Sequence, residues 1–300
     1  MKEDLLKDCI LCPRECHTNR LEGHRGRCGM TSELVVARAA LHMWEEPCIS
    51  GETGSGTVFF TGCALGCVYC QNHNIASGVA GKTITIGRLT EIFLELQQKD
   101  ASNINLVTPS HFIPQIKEAI LDSKNRGLTI PIVYNSSGYE KKESLQLLEG
   151  LIDIYLPDFK YMDSNIAMKY STAQDYPEHT KESIKEMYRQ VGIPVFAENG
   201  IMKKGMIVRH LILPGQERDS MEILKYLYET YGDTIYISIM NQYTPLENVK
   251  KYPEINRKLT EAEYDKVVDY GIDIGIENGF IQEGETATES FIPEFNGEGV

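Results

Sequence analysis

The 300-residue chain reads as an α/β protein: a partial (β/α)6 TIM-type barrel over 51–281, a small cysteine-rich extension over 1–50, and an acidic tail over 282–300. Three observations predict this. From residue 57 onward, strand-like apolar runs alternate six times with helix-like amphipathic runs, and that alternation builds a parallel sheet with right-handed crossovers. Six repeats fall short of the eight that close a barrel. Four of the eight cysteines cluster within residues 9–28, in a polar segment too short to fold on its own apolar burial.

In that first segment Cys9, Cys12, Cys16 and Cys28 are spaced C-x2-C-x3-C-x11-C. Pro13, Gly23, Gly26 and Gly29 surround them and mark loop rather than packed core. Four thiolates complete a tetrahedral shell, which fits structural zinc, and the same ligands hold an electron-passing iron–sulfur cluster. Free thiols are the plainer alternative. Arg14, Arg20, Arg25 and Arg27 interleave with the cysteines, either offsetting thiolate charge or lying on the solvated surface. Leu34 to Leu41 reads as a strand or a short buried piece. Small residues follow at Gly51, Gly54, Ser55 and Gly56, and Cys48 by itself reads as a small buried thiol.

The six strands are expected at 57–61, 105–108, 131–135, 152–159, 206–213 and 234–240. Between them Leu89, Ile92, Phe93 and Leu96 recur at one helical face, as do Ile184, Met187, Tyr188 and Val191, and Leu224, Leu227, Tyr228 and Tyr231. Gly127 and Gly192 stand where helices would stop. Sites on such sheets lie at the carboxyl ends of the strands. The polar residues that fall there include Thr108 and Ser110, Asn135 and Ser136, Asp158 and Lys160, Arg209 and His210, and Gln242.

Immediately after the first strand comes Cys63-Ala64-Leu65-Gly66-Cys67-Val68-Tyr69-Cys70, with Gln71-Asn72 behind it. Three thiolates this close repel one another and lose hydration, and a cationic iron–sulfur core offsets both costs. Three ligands on a four-iron cluster leave one iron open to a small molecule. A zinc ion would need a fourth ligand, which His73 or Cys48 could supply. Disulfides fit poorly with an odd number of cysteines.

The net charge of −13 and pI near 5.1 argue against nucleic acid or an anionic membrane as partner. No apolar run is long enough to span a bilayer, and Met1-Lys2-Glu3-Asp4 lacks a signal-peptide core, so a cytoplasmic home is expected. There, cysteines serve better as metal ligands than as disulfides.

The C-x3-C-x2-C loop with Tyr69 before its last cysteine resembles the cluster loop of the radical SAM enzymes. The wider pattern resembles the glycyl-radical-enzyme activases typified by pyruvate formate-lyase activating enzyme, and more closely their relatives with an N-terminal cysteine knuckle. The matching stretches are Cys12-Pro13-Arg14-Glu15-Cys16, Glu45-Glu46-Pro47, Gly54-Ser55-Gly56-Thr57, Asp158-Phe159-Lys160 and Arg209-His210-Leu211. The resemblance implies a [4Fe-4S] cluster on Cys63, Cys67 and Cys70, with S-adenosylmethionine chelated at the open iron and cleaved to a 5′-deoxyadenosyl radical. It further implies an electron donor such as a flavodoxin or ferredoxin, and hydrogen abstraction from a protein target. Lys160 and Arg209 match positions that hold the cofactor carboxylate. Asn135, Ser136 and Asp158 match a cation-binding patch, with asparagine where those activases carry aspartate. Tyr69, Thr108, Ser110 and Gln242 complete the expected cofactor-binding set. The family's Gly-Gly-Glu-Pro signature is replaced by Thr108-Pro109-Ser110-His111, so hydroxyls or carbonyls would receive the cofactor's ammonium. Another radical SAM reaction, on a small molecule or peptide, is the alternative, and a non-catalytic metal or electron-transfer module is a third reading. In the tail, Phe291, Ile292 and Phe295 among acids read either as a strip that docks over the open side of the barrel or as part of a disordered end.

Overall fold

A computed structural model of the chain describes residues 2–282 and 293–300. Its strands are β1 (Leu34–His42), β2 (Ser55–Phe60), β3 (Lys82–Ile84), β4 (Ile104–Val107), β5 (Ile132–Ser136), β6 (Ile154–Pro157), β7 (Val195–Phe196), β8 (Met202–Leu211), β9 (Tyr236–Met240) and β10 (Gly279–Ile281). They form one sheet in the order β10-β9-β8-β6-β5-β4-β2-β1-β3, with β7 paired to β8. From β2 through β10 every pairing along this path is parallel, whereas β1 runs antiparallel to both β2 and β3. The edge strands β3 and β10 do not pair, so the sheet stays open as the six-repeat count requires.

The six expected strands are β2, β4, β5, β6, β8 and β9. Their β-branched and aromatic runs are buried on both faces, as parallel strands covered by crossover helices must be. The short β10, opening on Gly279, extends the parallel series by one strand that carries too few apolar residues to announce itself. The crossover helices Ile86–Gln98, Tyr176–Val191 and Glu217–Tyr231 bury the expected faces, with Leu89, Phe93, Ile184, Met187, Leu224 and Leu227 fully covered. Thr85 caps the first of these by accepting the Arg88 N–H at 3.1 Å. Gly192, at φ 64°, ends the second in a conformation that favours glycine.

Parallel registers such as Val58↔Leu106, Leu106↔Tyr134 and Val208↔Ile237 keep the carboxyl ends of the strands level, so their following residues gather on one side of the sheet. The cysteine-bearing stretch 8–30 is mostly loop, but it is packed rather than free. Leu6, Cys9 and Leu11 form a small cluster, while Cys28 and Met30 join the main core. Gly62 lets this happen: a Cβ there would lie 2.5 Å from Met30 Cγ and 2.7 Å from the Cys28 carbonyl oxygen. Of the tail, residues 293–300 lie along β1, where Gly297 N–H donates to Ala37 O and Ala39 N–H to Glu298 O, and Phe295 meets the edge of Phe59. Phe291 and Ile292 lie outside the described residues. Among the described residues no helix is long and apolar enough to cross a membrane.

Candidate active site

Cys63, Cys67 and Cys70 line a cavity of about 250 Å³ at the carboxyl ends of the strands. Tyr69, Thr108, Asn135, Ser136, Asp158, Lys160, Arg209 and Gln242 share its wall, as do His42, Trp44, Glu45 and Pro293. Ser110 is not on this wall. Its hydroxyl hydrogen-bonds Glu140, a fully buried carboxyl that also accepts from Tyr134 at 3.3 Å. Thr108 stands just past β4 with φ 59°, a left-handed backbone that the glycine-rich signature would adopt without strain. Cys48 is remote from the loop, in a satellite core with Val133, Leu156 and Met202, which removes it as a fourth ligand there.

The cysteine loop is held from several directions. Val68 N–H donates to Tyr170 O at 2.9 Å, and Gln71 Nε2 donates to Gln242 O at 2.6 Å, tying the loop to the end of β9. Tyr69 is buried with its ring edge-on to Tyr161, Tyr170 and Tyr243. Arg14, from the N-terminal extension, donates to the carbonyls of Ala64 and Leu65 on this loop and to those of Ser171 and Thr172. Its guanidinium also lies over the Tyr139 ring.

The donor set fits an iron–sulfur cluster. Burial, then the neighbouring cysteine sulfurs, push the Cys70 thiol up to about 12 and raise Cys63 as well. Bare, Cys63 and Cys70 therefore stay protonated, and a cationic cluster is what would ionise them. Backbone N–H groups of Leu65 and Gly66 face Cys63, that of Asn72 faces Cys70, and the Ser171 hydroxyl donates to Cys67 Sγ at 3.1 Å. Among the described residues, neither this set nor the N-terminal cysteines is drawn in tightly around a single ion.

A buried charge array lines the same cavity as the loop. Arg209 donates to Asp158 Oδ1 at 3.0 Å, Glu45 Oε2 at 3.1 Å and Asn135 Oδ1 at 2.6 Å, and Lys160 Nζ meets Asp158 Oδ2 at 2.6 Å. Glu45 also accepts from Asn105 and Asn135. Burial alone would raise the Asp158 carboxyl, but the Lys160 and Arg209 charges more than offset it, leaving it below its usual range. Burial outweighs Arg209 at Glu45, which is raised. Lys160 and Arg209 are thus not bare cations awaiting a carboxylate. Both already share Asp158, and each keeps further N–H donors for a ligand. Glu45 is the residue that strand-end reasoning missed, because it arrives from the connection after β1. His210 is a core histidine: its Nδ1–H donates to the Phe159 carbonyl at 2.7 Å, and burial brings its pKa down to about 4.

An open parallel sheet with three loop cysteines facing charged strand ends defines a cluster-dependent α/β enzyme, and the family model of the radical SAM superfamily matches residues 57–227. The chain belongs to the radical SAM superfamily. It is 30% identical over 288 residues to an uncharacterized protein of Methanocaldococcus jannaschii, covering 91% of this chain and 78% of that one. In fold it is similar to methylornithine synthase (TM-score 0.52, 12% identity, 77% of this chain and 74% of that chain). It is also similar to Streptococcus suis SuiB bound to S-adenosylmethionine (TM-score 0.52, 15% identity, 75% of this chain), and spans about half the length of SuiB (49%).

Proposed function

We propose that this chain binds a [4Fe-4S] cluster on Cys63, Cys67 and Cys70, cleaves S-adenosylmethionine reductively, and abstracts hydrogen from a protein target in the manner of a glycyl-radical activase. The observation that carries the reading is the shared cavity: the three thiols and the Arg209–Asp158–Lys160–Glu45 array line one space. When bound, the cluster supplies the electron and the open iron site, and the cofactor supplies the carbon radical. The residues supply binding and orientation. Lys160 and Arg209 offer the remaining N–H donors for the cofactor carboxylate. Glu45 and the Thr108 carbonyl and hydroxyl offer acceptors for its ammonium, in place of the missing glutamate signature. Asn135, Ser136 and Gln242 offer partners for its hydroxyls. A flavodoxin or ferredoxin is the electron donor of this reading. A protein target is favoured by the cavity lining, where Trp44 is 66% exposed. SuiB has been crystallised with its precursor peptide SuiA, so a peptide substrate is the second reading.

The test is 5′-deoxyadenosine release from anaerobically reconstituted protein given dithionite and S-adenosylmethionine. Release that vanishes in Cys67→Ala supports the reaction. A cluster-loaded protein that fails to bind the cofactor in titration refutes it. Appearance of a glycyl radical in a partner protein, read by EPR, supports the activase role, and turnover of small molecules or peptides alone opposes it.

A further inference from the structure

We propose that Cys9, Cys12, Cys16 and Cys28 hold a second metal centre as four thiolates, either a zinc ion or an iron–sulfur cluster, and that Arg20 is its buried counter-charge. The centre stands independently of the chemistry proposed at the cavity.

The backbone folds the four cysteines into one knot. Cys9 N–H donates to Thr18 O at 3.2 Å and His17 N–H to Cys9 O at 3.1 Å, which turns 9–18 back on itself around Cys12 and Cys16. Glu15 and His17 take positive φ values of 39° and 50° to make the turn. Cys28 enters from the other side. A Cβ on Gly26 would lie 3.4 Å from Cys16 Sγ and 3.8 Å from Cys28 Sγ, so these two sulfurs flank one point. The sulfurs also receive backbone N–H groups: Arg27 on Cys16 at 3.1 Å, Arg14 on Cys12 and Met30 on Cys28. At Cys12 and Cys28 the donor lies two residues downstream, as Asn72 does from Cys70 in the family's own cluster loop. Such donors stabilise ligating thiolates and tune the metal they hold.

Arg20 is the independent observation. It is 0% exposed, yet among the described residues no carboxylate pairs with it. Its guanidinium donates to the neutral carbonyls of Thr31 and His111, lies against the Phe112 ring, and reaches Cys9 Sγ at 3.8 Å. Burying a cation without an anion costs several kcal/mol. Neutral thiols leave that cost uncompensated. Four thiols that each release a proton onto binding Zn²⁺ or a [4Fe-4S]²⁺ core leave the centre with about two negative charges, and the guanidinium is then paired.

The deciding experiment uses the full chain carrying Cys63→Ala, Cys67→Ala and Cys70→Ala, which leaves the N-terminal knot intact. Purified anaerobically, it is expected to retain one metal centre per chain by elemental analysis. Zinc without acid-labile sulfide identifies the ion, and iron with equal sulfide and a visible charge-transfer band identifies the cluster. Absence of any stoichiometric metal overturns the proposal. In the otherwise native chain, Cys12→Ser with Cys28→Ser is expected to lose that metal and keep the iron on the remaining cysteines; retention of both overturns it. Arg20→Met, which removes no ligand, is expected to lose the metal to a chelator at least tenfold faster, and an unchanged rate removes Arg20 from the assignment.

Discussion

Glu140 is a carboxyl with no exposure, no cation beside it, and three hydroxyl neighbours, those of Ser110, Ser136 and Tyr134. Burial raises it to about 7, and the three hydroxyls only partly oppose that. An unfolded glutamate titrates near 4.5. Between these two values the folded chain holds a proton that the unfolded chain has released, so stability falls as pH rises from about 4.5 to 7 and is flat beyond. Two and a half units at about 1.4 kcal/mol each amount to about 3 kcal/mol lost above neutrality. Glu140→Gln keeps the shape and cannot ionise. At pH 8 it is expected to be more stable than the native chain by about 3 kcal/mol, or about 5 °C in melting temperature for a chain of this length. At pH 5 the difference falls below about 1 kcal/mol. Anaerobic thermal unfolding of both proteins from pH 5 to 8 measures this. Equal melting temperatures at pH 8, or a variant that melts lower across the range, would refute the reasoning.

Three further outcomes follow from the same geometry. Ser171→Ala removes the hydroxyl from Cys67 Sγ, and a hydrogen bond worth about 1 kcal/mol corresponds to about 40 mV for one electron, so the cluster potential should drop by about that much in an EPR-monitored redox titration. An unmoved potential would exclude that hydroxyl from tuning the cluster. Arg14→Ala leaves four carbonyls without their donor and should cost about 2–4 kcal/mol of stability, with faster iron loss on gel filtration. Arg209→Met leaves Glu45 without its cation and Asp158 with Lys160 alone, and should cost about 3–5 kcal/mol, partly recovered when Glu45→Gln is added; unfolding curves that do not separate the single from the double variant would count against a coupled array.

Much of this was legible in the chain because local chemistry and global fold agree there. The six parallel strands announce themselves as Val, Ile and Phe runs, and the cysteine loop sits directly after the first of them. Glu45 was not legible as a site residue, since it reaches the cavity from the antiparallel β1 connection and not from a strand end. Arg20 was legible only as one of four arginines that could offset thiolate charge, because its burial arises from a segment folded against Phe112 and His111, roughly ninety residues away. Ser110 shows the opposite failure. Its position beyond a strand end pointed to the cofactor site, but the 3-10 turn Ser110–Phe112 directs its hydroxyl to Glu140.

The Arg14 clamp sets an order of events for the maturing protein. One guanidinium ties residues 64–65 to residues 171–172, across separations of 50 and 157 or more positions. Contacts of such long range form late, after the local strand and helix pairs between them. A ribosome that has made only the cysteine loop has therefore not yet made its support, and the loop acquires its final shape once the chain through Thr172 has folded. The support that Arg14 gives the loop is therefore absent until β2, β4, β5 and β6 have all been made.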